Sequence, residues 1–143
     1  MSSNGSAPPV YLELRPSRRL VAAICLLHAA ALVAVTIAAL PWLLSAAAGM
    51  AILAAFHRNL RLYALQDHPR AVKSLVWTAD GIHRLRLADG RSLAAQRLDG
   101  GVVWSWLVVL PFRAERRDYA VVALADNTAA DAFRRLRARL RFP

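Results

Sequence analysis

Acidic residues, lysine and cysteine are all scarce in this 143-residue chain. Nine Asp and Glu stand against 19 Lys and Arg, a formal net charge of +10, and Lys73 is the sole lysine, so arginine carries the positive charge. The single cysteine, Cys25, excludes an internal disulfide framework and a cysteine-based zinc cluster. Signatures of chemistry are missing too: no glycine-rich phosphate loop, no G-x-S-x-G, no H-E-x-x-H and no paired C-x-x-C. His28, His57, His68 and His83 fall in different segments, and no carboxylate pair has a spacing suited to general acid–base work. The expectation is therefore a protein that is not an enzyme and has no cofactor or metal site. One further absence decides the architecture. Residues 20–56, 37 consecutive positions, contain no Asp, Glu, Lys or Arg.

What is present is 57% hydrophobic residues, which excludes an intrinsically disordered chain. As one helix the uncharged stretch would be about 55 Å long, against a hydrocarbon core of about 30 Å. It must fold back, and Pro41-Trp42 near its middle marks the place, since helices tend to end before proline and Trp suits the lipid–water boundary. The reading is a transmembrane hairpin over 15–65, with helices over 20–40 and 42–61. The second span is the shorter in uncharged residues and extends by letting His57, Arg58 and Arg61 snorkel; a single span followed by a buried or interfacial helix is the alternative. Ala30, Ala34 and Ala38, and likewise Ala47, Ala51 and Ala55, recur at i, i+4, i+8 and suggest close helix packing. Arg15, Arg18 and Arg19 precede the first helix, and Arg58, Arg61, Arg70 and Lys73 follow the second. The positive-inside rule then puts both termini in the cytoplasm of a multi-pass inner-membrane protein. Ser45-Ala46-Ala47 could suit signal-peptide cleavage, but the first apolar run is too long for a signal core.

Residues 1–14 read as a flexible lead. From 71 to 143 the pattern predicts a small α+β cytoplasmic domain, an antiparallel meander of about five strands closed by one helix. Strands are expected over 71–78, 82–88, 92–98, 102–112 and 119–124, with Asp80-Gly81 and Asp89-Gly90 as hairpin turns. In the last segment Phe133, Leu136 and Leu140 form one apolar helical face, and Asn127 or Thr128, with Asp131, suits a capping box.

Three features are candidates for function. His28 lies near mid-depth of the first helix, where an ionisable group is costly; a neutral imidazole bonded to a backbone carbonyl or to the other helix is the simpler reading. Trp104 and Trp106 share a strand face with Val102, Val108 and Leu110, so they fit the core under the terminal helix, or else an exposed aromatic surface for a partner or bilayer. Arg134, Arg135, Arg137, Arg139 and Arg141 form a basic cluster suited to a solvated face near anionic membrane lipid, or to an acidic protein. Nucleic acid is not expected, since no nucleic-acid motif accompanies the charge.

In order and spacing the chain resembles the bacterial YgfX family, also called CptA. The resemblance rests on Ser17-Arg18-Arg19-Leu20, His28-Ala29-Ala30, Pro41-Trp42, Asp80-Gly81, Asp89-Gly90, Val109-Leu110, Leu124-Ala125-Asp126 and the run from Asp131 and Ala132 through Phe133-Arg134-Arg135-Leu136-Arg137. It covers about residues 10–141. The chain departs from the family at Ile82-His83, where a tryptophan is expected nearby. The resemblance implies a small inner-membrane protein, the toxin of a toxin–antitoxin pair. Its implied partners are the small acidic flavinylation factor that assists succinate dehydrogenase, and the cytoskeletal proteins of division and cell shape. From residue 57 onward 16 basic side chains stand against 8 acidic ones, a charge balance suited to an acidic partner. Alternatives are a lipid-sensing scaffold at the membrane surface, or an accessory subunit of a membrane complex held through His28.

Overall fold

The computed structural model describes residues 9–78 and 80–141, the side chain of Arg141 excepted. Helix α1, Arg18–Ile37, starts at Ser17, whose Oγ accepts the Leu20 N–H at 3.0 Å and so satisfies one of the free amides of the first turn. It ends at Ala38, and Ala39, at a φ of +48°, turns the chain toward Pro41. Helix α2, Trp42–Asn59, runs on as a π-helical turn, Leu60–Ala64. Together these make a 23-residue apolar rod, about 35 Å long and enough to cross a hydrocarbon core. It is longer than the charge pattern suggests, because the helix continues past Arg58 and Arg61.

Only Ile24 is buried in the two helices. The sheltered positions include a seam: Ile24, His28, Ala31 and Val35 on α1, with Ser45, Gly49, Ile52 and Phe56 on α2. Both sets follow i, i+4, i+7, i+11, the 3.5-residue repeat of helices crossing at a shallow angle. The alanine rows predicted to pack lie elsewhere. Ala30, Ala34, Ala38, Ala47, Ala51 and Ala55 are all exposed on this chain. A strict i+4 row drifts around a 3.6-residue helix and leaves the seam, whose sheltered alanine on α1 is Ala31 instead.

The remainder is an antiparallel sheet: β1 (Val10–Glu13), β2 (Val72–Trp77), β3 (His83–Leu87), β4 (Ser92–Arg97), β5 (Val102–Val103), β6 (Leu107–Ala114) and β7 (Arg117–Leu124), followed by α3 (Ala130–Arg141). The order is β1-β2-β3-β4-β6, with β5 and β7 both paired to β6. The described residues form seven strands where about five were expected, for two reasons. Part of the N-terminal lead is strand: Val10 and Leu12 alternate inward and β1 pairs with β2, Leu12 opposite Leu75. Residues 1–8 of that lead lie outside the described residues. The segment 102–112 is also not continuous, as β5 folds back on β6.

The sheet curls until β7 approaches β2 without pairing to it, and α3 fills the hollow. Phe133 and Leu136 enter one core with Leu12, Leu75, Leu85 and Phe112. Neither Asn127 nor Thr128 is seen capping α3. Buried Asn127 accepts the Leu124 N–H at 2.7 Å and donates to the Val122 carbonyl at 3.0 Å, while Thr128 donates to the Leu124 carbonyl at 2.8 Å. Both bind back to the end of β7, because that tight exit needs its backbone groups satisfied more than the helix needs a cap.

Candidate functional site

Gly100 and Gly101, at φ of +92° and +104°, sit in an interruption between β4 and β5, which run in the same direction along β6, Arg97 opposite Phe112 and Val102 opposite Val109; the chain reverses after Val103, which pairs with Val108. The Trp104 N–H donates to the Leu107 carbonyl at 2.7 Å and closes the loop. Trp104 and Trp106 therefore stand at the tip of a hairpin and outside the core, contrary to the favoured sequence reading. Their rings pack on each other at 5.3 Å and 45°, and they are 53% and 50% exposed. Val108 and Leu110, expected on the same face, are fully buried. The turn after Val103 carries the tryptophans away from them.

The arginines of α3 do not act as one array. Arg139 lies over the Trp77 ring at 4.4 Å and donates to the carbonyls of Trp77 and Thr78 at 3.3 and 2.9 Å. It bolts the helix to the end of β2. Beneath it the His83 ring packs on Trp77 at 4.7 Å and on Phe112 at 5.3 Å. Burial, with the charges of Arg97 and Arg139, pushes His83 below its ordinary value. Arg137 lies over Phe133 of its own helix at 5.9 Å. Arg134 pairs with Asp131 at 3.0 Å, and both it and Arg135 are exposed. The Arg141 side chain lies outside the described residues. The cluster thus divides into Arg139, which packs against the sheet, and the outward Arg134 and Arg135.

His28 Nδ1 donates to the Ile24 carbonyl at 2.8 Å, and its ring meets Phe56 edge-on at 5.4 Å. It is held within the helix seam, as the simpler reading of that residue expects.

Two features escape sequence reading. The first is the joint between helices and sheet. The Ser17 hydroxyl reaches the Asp126 carboxylate at 2.8 Å, the Arg19 N–H donates to the same group at 3.3 Å, and the Arg15 N–H donates to the Asn127 carbonyl at 2.8 Å. The second is a cavity of about 790 Å³ beside it, where the end of α2 and the π-helical turn meet the open side between β2 and β7. Arg58, Arg70 and Arg117 surround it, with Tyr63, His68 and Tyr119. Arg58 and Arg70 belong to the basic flank after the second helix, but Arg117 comes from a distant strand, so no local pattern of charge signals the cavity.

Among the described residues no three His, Cys, Asp or Glu gather closely enough to hold a metal ion. A family model described as the membrane-bound toxin component of a toxin-antitoxin system matches residues 9–143. No curated protein and no solved structure matches the chain.

Proposed function

This chain belongs to the family of membrane-bound toxin components of toxin-antitoxin systems, and on that premise we propose that it acts by binding cytoplasmic proteins, without catalysis, from an inner-membrane anchor. The observation that carries this reading is the exposed Trp104–Trp106 pair at the β5–β6 tip. Tryptophan is enriched among residues that dominate protein–protein affinity, and two large rings held in water by a rigid hairpin lose little entropy on docking. The excess of arginine over acid beyond residue 57 favours an acidic partner and speeds encounter with it. The partners the family resemblance implies are the small acidic flavinylation factor and the filament proteins of division and cell shape.

The orientation belongs to the same proposal. β1 precedes α1 and β2 follows α2, yet they pair over four residues. Both flanks of the hairpin therefore lie on one side, and the arginines at those flanks favour the cytoplasm. The test is capture from detergent by the full-length protein, at low salt, of the purified flavinylation factor and of division filament proteins. Recovery of at least one, reduced tenfold or more by Trp104→Ala with Trp106→Ala, is the expected result. Recovery of none, or full recovery by the double variant, overturns the reading.

A further inference from the structure

We propose that the cavity between α2 and β7 is a binding site for the phosphate headgroup of an anionic phospholipid. Its position is the first ground. Arg58 lies in the last turn of α2, two residues beyond the uncharged stretch that ends at Phe56. That is the depth at which a spanning helix passes from acyl chains to headgroups. Tyr63, from the π-helical turn, is a residue type concentrated at that boundary. Arg58, Leu62 and Tyr63 from this flank line the cavity.

Charge is the second ground. The guanidinium groups of Arg58, Arg70 and Arg117 have no hydrogen-bonding or ionic partner among the described residues. Asp118 is the only acid among the described residues that line the cavity. It is already engaged by Arg113, whose Nε and Nη2 donate to its two oxygens at 2.7 and 3.0 Å and hold its carboxyl below the usual carboxylate range. Three uncommitted arginines around one hollow repel one another unless an anion enters. Planar guanidinium groups also suit phosphate oxygens, each offering two parallel donors. The Arg70 backbone N–H donates to His68 Nδ1 at 3.1 Å, which leaves Nε2 of that ring as its N–H donor.

The lining is also amphipathic. Leu62, Pro69, Val72 and Ala120 contribute apolar wall beside the three cations, a match for a glycerol backbone below a phosphate and a poor match for a small free anion. Basic pockets at the cytoplasmic ends of spanning helices are known to hold such headgroups. The fold makes the room in two ways. β2 and β7 approach without pairing, and a register irregularity between Val72 and Ser74 bends β2 at the cavity's edge.

The test uses the full-length protein, stripped of lipid in neutral detergent. A fluorescent short-chain phosphatidylglycerol is titrated against the matching phosphatidylcholine, with inorganic phosphate as a competitor. At least tenfold tighter binding of the anionic lipid is expected. Arg58→Gln, Arg70→Gln and Arg117→Gln together abolish that preference, whereas Arg134→Gln with Arg135→Gln leaves it within twofold. If the triple variant melts early, Arg117→Gln alone, exposed at the start of β7, serves and lowers the preference at least threefold. Equal binding of both lipids overturns the proposal, as does an undiminished preference in the arginine variants. Displacement of the lipid by micromolar phosphate reassigns the cavity to a free anion and equally overturns it. Loss of protein capture in the triple variant with lipid preference intact assigns the cavity to a protein partner instead.

Discussion

His83 is the residue whose chemistry is most constrained by its neighbours. It lies between Trp77 and Phe112, Arg97 and Arg139 are its charged neighbours, and its Nε2 is buried with no hydrogen-bond partner among the described residues. Its folded-state affinity for a proton is lowered from 6.5, so the unfolded chain takes up the proton first as the medium is acidified. Stability attributable to this residue is full above about pH 6.5 and is lost as the pH falls through the depressed folded value. His83→Phe keeps a ring in the stack and removes the titration. Melting of the full-length protein at pH 7.5 and 5.5 should show a smaller acid loss for the variant. Asp89 and Asp118, both lowered from 3.8 by hydrogen bonds from arginines, titrate well below that window and do not blur it.

Glu115 and Arg116 present the opposite case, residues unsuited to their backbone. They connect β6 to β7 as a two-residue turn with φ of +49° and +63°. Left-handed conformations cost a side chain with a Cβ about 1 kcal/mol each, and this turn type favours Asn-Gly. Replacing Glu115 by Asn and Arg116 by Gly should raise stability by about 1–2 kcal/mol, read as a higher melting temperature. Among the described residues the ion pair forfeited is the 4.0 Å contact of Glu115 with Arg91, between exposed groups and worth little.

Among elements, the β5–β6 hairpin is the most demanding. A Cβ on Gly101 would run into the carbonyl oxygen of Val109 and lie 3.1 Å from Pro111 Cδ, at a φ that disfavours any side chain. Gly101→Ala should cost about 2–4 kcal/mol and expose residues 102–106 to limited proteolysis, with partner capture falling in step. The same hairpin shows what a sequence can hide. Residues 102–112 form an apolar run whose reversal is made at Trp104-Ser105-Trp106 and closed by a backbone bond from Trp104 to Leu107, with no Asp-Gly or Asn-Gly pair to announce it. The Asp-Gly pairs announced the β2–β3 and β3–β4 turns, because positive φ at Gly81 and Gly90 is what those residues supply. The helical hairpin was equally plain, since an uncharged stretch of that length has few other uses. The packing seam was not: alanine recurs on several faces of both helices, and only the facing helix selects one of them. The candidate site was legible at single residues such as Trp104 and illegible as a cavity, because Arg58, Arg70 and Arg117 meet only after the chain has curled.

At the scale of the molecule the first strand matters most. Leu12 is fully buried and Leu14 nearly so, both in the same core as α3. Leu12→Ala should therefore destabilise the sheet by about 2–5 kcal/mol although it lies before the helices. Protease digestion of the domain after α2 reads this out: cleavage should accelerate in the variant, and an unchanged rate would show β1 to be dispensable. A fragment beginning at residue 71 lacks that strand and should aggregate or remain unfolded.

The pairing of β1 with β2 also sets an order of assembly. The first strand leaves the ribosome nearly sixty residues before its neighbour and waits unmatched until both helices have been made. If one helix alone failed to insert, the waiting ribbon would be stranded across the bilayer from its mate and the domain could not close. A finished sheet therefore requires that its first and second strands come to rest on the same side.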